Sequence, residues 1–217
     1  GGLWTAKKKS RILESRIKGT RLLANTLHGL KSPPKVLISA SAIGYYGDSG
    51  QQQITEEDLP GSGFLAEVCQ AWEAELDFLN KTSIRVVKAR LGIVLSPAGG
   101  ALATMLPAFK LGLGGQLGSG KQYMSWIAMD DLVGAFYHCL FTKELKGAVN
   151  FTAPYSVSNQ VFTKTLTSAL NRPNLFSVPT FALKLGLGEM AEEMLLASAR
   201  VYPDKLIKTG FEFSYPD

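Results

Sequence analysis

Apolar residues recur at helical spacing along several stretches of the chain. In "TAKKKSRILESRIKGTRLLANTLHGL" (5–30), Leu13, Ile17, Ala24 and Leu27 share one face with Ile12 and Leu23 alongside, and Gly29 and the pair Pro33-Pro34 stop the pattern. "GFLAEVCQAWEAELDFLN" (63–80) repeats it at Leu65, Cys69, Trp72, Leu76 and Leu79. "DDLVGAFYHCLFTK" predicts a helix with Asp130 as N-cap, and "SNQVFTKTLTSALN" one capped by Ser158. "ALATMLPAFKLG" predicts a helix with Pro107 as a kink or boundary, and residues 180–200 a further helical stretch. Between these lie strand-like segments: "KVLISA" (35–40), "SIRVVKARLGIVL" (83–95), "MSWIAM" and "GAVNFTA". The last 17 residues read as a polar and aromatic tail. Strands alternating with helices predict an α/β fold with a parallel sheet and crossover helices. The pattern opens on a helix where a doubly wound sheet opens on a strand, so further N-terminal elements are expected.

Composition narrows the class. A chain of 217 residues, 46% hydrophobic and 19% charged, can bury a full globular core. No apolar run approaches the roughly 20 residues of a membrane span, and no secretory signal is visible. The expectation is a cytoplasmic or organelle-interior protein without a membrane partner. Cys69 and Cys139 fall in helix-like segments and read as small core residues. His28 and His138 lack partners at ligand spacing, so no metal is expected. The net charge of +5 would suit nucleic acid, but its distribution does not. Residues 1–35 carry nine Lys/Arg and one Glu (+8), and the remainder 14 Lys/Arg and 17 Asp/Glu (−3). That is one basic helix, not a stripe across a fold. Lys7, Lys8 and Lys9 sit near the helix start, where they oppose its dipole unless an anion lies near.

Two glycine-rich possibilities fail. "GQLGSGKQ" (115–122) approaches a phosphate-binding loop, but Gln122 stands where the Mg²⁺-binding hydroxyl belongs, and a short strand rather than a helix follows. No G-x-G-x-x-G occurs in the chain.

The stretch "VLISASAIGYYGDSG" (36–50) carries the most chemical information. An apolar strand runs out into Ser39, Ala40 and Ser41, then Tyr45 and Tyr46. Hydroxyls at a strand end are where an α/β protein places chemistry, and Ser39 and Ser41 share one side of the pleat. Read with "VVKARLGIVLSPAGG", "GLGGQLGSGKQ", "SWIAMDDLVGAF", "GAVNFTAP" and the opening "SRIKGTRLL", this stretch resembles the atypical extended short-chain dehydrogenases/reductases of the nucleoside-diphosphate-sugar-epimerase-like group, sometimes labelled cell-division-inhibitor-like. The resemblance covers nearly the whole chain. It implies a Rossmann-like domain over 1–150 and a small C-terminal substrate-side lobe over 151–217. It also implies an NADP cofactor, with NAD as the alternative, and oxidoreductase or epimerase-like chemistry on a small or sugar-like substrate.

On that resemblance Ser41 matches the family's strand-end hydroxyl, Tyr45 or Tyr46 is placed to donate a proton, and Ser39 and Gly92 lie by the cofactor. Arg90, a charge on an apolar strand, either closes a salt bridge or contacts the dinucleotide. The second is expected because the nearest acids in sequence, Glu75 and Asp77, lie on a separate helix. Two departures stand out. The family's first strands, with their glycine-rich turn, are expected to precede the chain given. The Tyr-x-x-x-Lys pair is absent, Phe64/Val68 or Leu65/Cys69 standing in its place, which leaves a non-catalytic NADP(H)-binding module as the alternative. Ser41 should end a central parallel strand beside Arg90, and the helices at 5–30 and 63–80 should pack on one sheet face. In extended relatives that helix pair forms a dimer contact, so a homodimer is expected.

Overall fold

The computed structural model describes residues 3–217. In chain order the elements are α1 (Ala6–His28), β1 (Val36–Ala42), a 3-10 turn (Ile43–Tyr46), β2 (Gln53–Ile54), α2 (Phe64–Ala74), β3 (Arg85–Leu91), β4 (Ile93–Leu95), α3 (Gly100–Lys110), β5 (Gly115–Leu117), β6 (Tyr123–Met124), β7 (Trp126–Ala128), α4 (Met129–Phe141), β8 (Gly147–Phe151), β9 (Val157–Ser158), α5 (Asn159–Ala169), β10 (Phe176–Val178), α6 (Thr180–Leu187), α7 (Glu189–Ala191), β11 (Arg200–Val201) and α8 (Asp204–Lys208). A π-helical turn (Glu192–Leu196) follows α7 directly.

β1, β3 and β8 form a parallel sheet with β3 in the middle. The alternation along β3 sets both layers. Val86 packs with Ala24, Leu76 and Leu79 beneath α1 and α2. Val87 and Ala89 pack on the opposite face with Leu132, Ala135 and Cys139 of α4 and Phe151 of β8. The expected pairing of α1 with α2 is present. The Trp72 indole donates to Thr20 Oγ1 (2.7 Å), and Arg21 pairs with Glu75 (2.6 Å). Ser41 does lie opposite Arg90 in the β1–β3 register. It ends an outer strand of the three, however, and the middle strand is the one that carries Arg90.

Three further expectations are corrected. Asp130 does not cap α4: Ala128 holds the N-cap position without a side-chain bond. Asp131 is instead buried and accepts from the Ser214 and Tyr215 amides (2.7 and 2.9 Å). The last 17 residues are therefore no loose tail. Val201 pairs with β2, and Leu206, Phe211 and Phe213 pack into the α4-side core. Finally, 83–95 is two strands. Gly92 N still bonds Phe151 O of β8 (3.0 Å), but Ile93 N turns to Ser125 O (2.9 Å) and β4 continues beside β7. A Cβ at Gly92 would lie 2.8 Å from Ser125 O and 2.9 Å from Thr152 Cγ2, so only glycine fits where the strand changes partner. Ser158 does cap α5, its Oγ accepting from Val161 N at 3.3 Å. The helix over 100–110 contains Pro107 without ending there.

Candidate active site

Splitting the sheet at Gly92 opens a cavity of about 460 Å³ at the C-terminal end of β3. Leu91, Gly92 and Ile93 form its floor. The turn after β1 (Ile43, Gly44), α3 (Ala101, Met105), Tyr123–Ser125 and the segment 192–199 supply its walls. Open α/β sheets place ligands outside the carboxyl ends of their strands, and this cavity has that position. Cys69 and Cys139 are buried free thiols, with burial pushing them up to about 11 and about 12. Among the described residues no group of three or more His, Cys, Asp or Glu is placed to hold a metal ion, and no helix is long and apolar enough to cross a membrane.

Of the six site residues expected from the sequence, Gly92 alone lines this cavity. Ser41, Tyr46 and Arg90 are 3, 3 and 4% exposed and belong to a sealed polar network beneath it. Ser41 Oγ donates to Glu73 Oε1 (2.7 Å). The Arg90 guanidinium grips the same carboxylate through Nε and Nη2 (2.9 Å each) and donates from Nη1 to Tyr46 Oη (2.8 Å). Tyr46 in turn donates to Asn150 Oδ1 (2.8 Å), whose amide Nδ2 reaches Tyr202 O (3.0 Å). The Tyr45 ring stacks on the guanidinium, its centroid 3.4 Å from Arg90 Cζ. Ser39 lies two residues back along β1, opposite Lys88, which pairs with Asp77.

The expectation for Arg90 is corrected at its premise. A buried cation does need a partner, but Glu73 of α2 supplies it in the bidentate geometry a phosphate would have offered. Tyr46 is likewise committed. Burial pushes its phenol up to about 12, so it holds its proton near neutral pH, and that proton already serves Asn150. Glu56 closes the far end. Its Oε1 accepts from the Asn150 and Lys205 amides (2.9 and 3.3 Å), while Oε2 is buried without a hydrogen-bond partner, and burial raises its pKa.

The cavity draws its polar groups from elsewhere. Glu193, in the π-helical turn, accepts from Phe64 N (2.8 Å) and Leu65 N (2.7 Å), capping α2 from 129 positions away in the chain. Gly63 at that N-cap has φ +102°, and a Cβ there would meet Glu193 Oε1 at 2.9 Å. Asp48 Oδ1 accepts from Gly50 N and Ser198 N (3.0 and 3.1 Å). Ser125 Oγ donates to Ala199 O (2.7 Å) and accepts from Val201 N (2.8 Å). Tyr123 has its amide fixed on Ser198 Oγ (3.0 Å) and the Arg200 guanidinium over its ring (5.1 Å). The sequence singles out none of these: Asp48, Tyr123 and Ser125 sit in a loop and short strands without periodicity, and Glu193 in a stretch that reads as helix. Glu73 did leave a signal. It falls four residues after Cys69 and three before Leu76, on the apolar stripe of α2, so a charge on a buried helix face matched the charge on a buried strand.

Residues 1–169 match the NAD dependent epimerase/dehydratase family, and residues 178–217 match a domain of unknown function, DUF1731. The epimerase family protein Mb2239 of Mycobacterium bovis is 41% identical over 212 residues, which are 98% of this chain and 70% of that protein. The crystal structure of human epimerase family protein SDR39U1 (isoform 2) with NADPH superposes with a TM-score of 0.94 at 33% identity, covering 99% of this chain and 73% of that one. The nucleoside-diphosphate sugar epimerase of Corynebacterium glutamicum gives a TM-score of 0.79 at 35% identity, covering 100% of this chain and 42% of that one. The parallel sheet with its flanking helices is thus the Rossmann-like fold of these proteins, and the chain belongs to the NAD dependent epimerase/dehydratase family.

Proposed function

We propose that this chain carries the nicotinamide end and the substrate pocket of an NADP(H)-dependent oxidoreductase or epimerase-like enzyme acting on a small carbonyl or sugar-like compound. The observation that carries the reading is the cavity at Gly92, where the middle strand of the sheet ends and changes partner. Its apolar walls suit a nicotinamide ring. Among the described residues no lysine or arginine lines it, so the residues present fit that end of a dinucleotide and not its pyrophosphate. NADPH is favoured over NADH because the human relative was crystallised with it.

When bound, the reduced nicotinamide supplies a hydride. Tyr123 is the proton source we assign: as negative charge develops on the carbonyl oxygen, its phenol gives that oxygen a proton, and solvent returns one to the phenolate. Hydride plus proton completes the alcohol. Leu91 and Ile93 keep bulk water from the reacting carbon. Ser41, Tyr46 and Arg90 act as positioning residues that hold the ends of β1 and β3, with Tyr45 stacked over them and Ser39 behind, and Gly92 keeps the floor open. The remaining lobe, 151–217, forms the substrate side. A homodimer through the outer faces of α1 and α2 completes the proposal, and a monomer by light scattering at micromolar concentration would remove it.

One observation favours a second reading, a non-catalytic NADP(H)-binding module. The strand-end hydroxyl and both tyrosines after it are outside the cavity, and Phe64/Val68 or Leu65/Cys69 stand where a Tyr-Lys pair would be. NADPH binding followed by its fluorescence, and NADPH oxidation with a panel of carbonyl compounds, separate the two. Turnover that falls on the order of 100-fold in Tyr123→Phe with NADPH affinity unchanged supports the enzyme. Tight NADPH binding with no turnover on any carbonyl supports the module, and no NADPH binding ends both.

A further inference from the structure

Among the described residues the cavity wall carries three carboxylates, Asp48, Glu192 and Glu193, and no lysine, arginine or histidine. The cations nearest in contact are already paired or stacked: Lys184 holds Glu192 (2.6 Å) and Arg200 lies over Tyr123. One further electropositive feature borders the cavity, the N-terminus of α2, whose free amides would welcome a phosphate. Glu193 occupies it, both of its oxygens accepting from the Phe64 and Leu65 amides at 2.8 and 2.7 Å. The remaining lining is largely apolar, with Leu65, Leu91, Ile93, Met105, Met124 and Leu195 facing one space.

From this we infer that the pocket takes an uncharged, largely apolar carbonyl compound and refuses a nucleoside-diphosphate sugar. The inference rests on the proposed placement of the substrate in this cavity and narrows its class. A diphosphate needs cationic partners or free amides, since each buried charge must be paired. Here it would meet carboxylates on the wall and find the helix N-terminus taken. Discrimination of this kind comes from the repulsive element as much as from the attractive one. The apolar walls supply the attraction, and Glu193 with Asp48 and Glu192 supplies the repulsion. The segment after α7 thus does two jobs with one side chain: it fixes the start of α2 and removes the anion site that start would otherwise present.

Isothermal titration with two probes tests this: α-tetralone, an uncharged aryl ketone, and UDP-glucose. Each is run with and without saturating NADPH, so that failure of dinucleotide binding is read separately from failure of the substrate class. The ketone should bind, and UDP-glucose should bind on the order of 100-fold more weakly or not at all. Ala101→Trp, a change at an exposed α3 position on the cavity wall, should abolish ketone binding. Glu193→Gln should raise UDP-glucose affinity by on the order of 10-fold, since the site loses its charge while one oxygen still accepts. Should that variant not fold, Glu192→Gln, half-exposed and paired only with Lys184, should shift selectivity in the same direction. UDP-glucose binding as tightly as the ketone, and lost in Ala101→Trp, would overturn the inference. So would absence of ketone binding, or ketone binding that survives Ala101→Trp.

Discussion

The polar side chains beneath the ends of β1 and β3 and those around the cavity above them belong to the same 217 residues but are satisfied in opposite ways. Below, Ser41, Glu73, Arg90, Tyr46 and Asn150 satisfy one another through side chains projecting from regular elements and the turn after β1, and all are buried. Above, Asp48, Ser125 and Glu193 bind backbone amides and carbonyls of segments remote in the chain, and the space they surround stays open. A closed network of that kind fixes geometry, because a half-satisfied buried group is costly. A cavity whose polar atoms are tied to backbone has a rigid shape and an apolar inner face. The comparison teaches that hydroxyls at a strand end do not by themselves mark the reacting site. What decides is whether their partners are protein or open space.

The sharpest way to break the comparison is to remove the carboxylate at the centre of the network. Glu73→Ala leaves Arg90 buried with only Tyr46 and Tyr45, and should destabilise the fold by about 3–5 kcal/mol in urea unfolding. Glu73→Leu combined with Arg90→Met removes both charges and should recover most of that loss. A loss below about 1 kcal/mol in Glu73→Ala would mean that water reaches the guanidinium and the network is not sealed. Arg90→Lys should likewise lower stability, because the bidentate grip on Glu73 is lost.

Next in size is Glu193→Ala, which strips α2 of its cap from the far end of the chain. About 1–2 kcal/mol should be lost, with faster hydrogen exchange at Phe64 and Leu65. Unchanged exchange at those two amides would show the cap to be dispensable.

A smaller effect sharpens the lower region. The folded-state pKa of Glu56 is raised by burial, so its contribution is fully present below the unfolded value of about 4.3 and is lost as pH rises through the folded one. Glu56→Gln keeps an oxygen for the Asn150 and Lys205 amides and removes the charge. It should therefore match wild type at about pH 4 and be the more stable of the two at neutral pH. Urea midpoints at the two pH values check the sign. Tyr123→Phe should be the mildest change to the fold, within about 0.5 kcal/mol, and its consequence is expected in turnover.

Much of the scaffold was legible in the sequence because it obeys short-range periodicities. The two-residue alternation of β3 sends Val86 to one layer and Val87 to the other, and of the helical stripe Cys69 is buried in α2 while Leu76 and Leu79, just past its end, join the core. Ser158 caps α5 from immediately outside it. What was not legible depends on partners remote in the chain. Asp131 looks like half of a capping pair until Ser214 and Tyr215 arrive to take its oxygens. Arg90 looks unpaired because Asp77 and Glu75 are nearer in sequence than Glu73, although Glu73 alone of these three lies on the buried stripe. The cavity wall is least legible: Asp48, Tyr123 and Glu193 come from a loop, a short strand and a π-helical turn, brought together only when β4 leaves the sheet at Gly92.

The central claim is that ligands engage the cavity at the end of β3 and not the polar network beneath it. Hydrogen exchange of the chain with and without saturating NADPH measures this directly. The account predicts slower exchange at residues 91–93 and 123–125, and in the turn 43–47, with the amides of Arg85 to Ala89 unchanged because none of those residues lines the cavity. NADPH that binds while leaving 91–93 and 123–125 unprotected would contradict it.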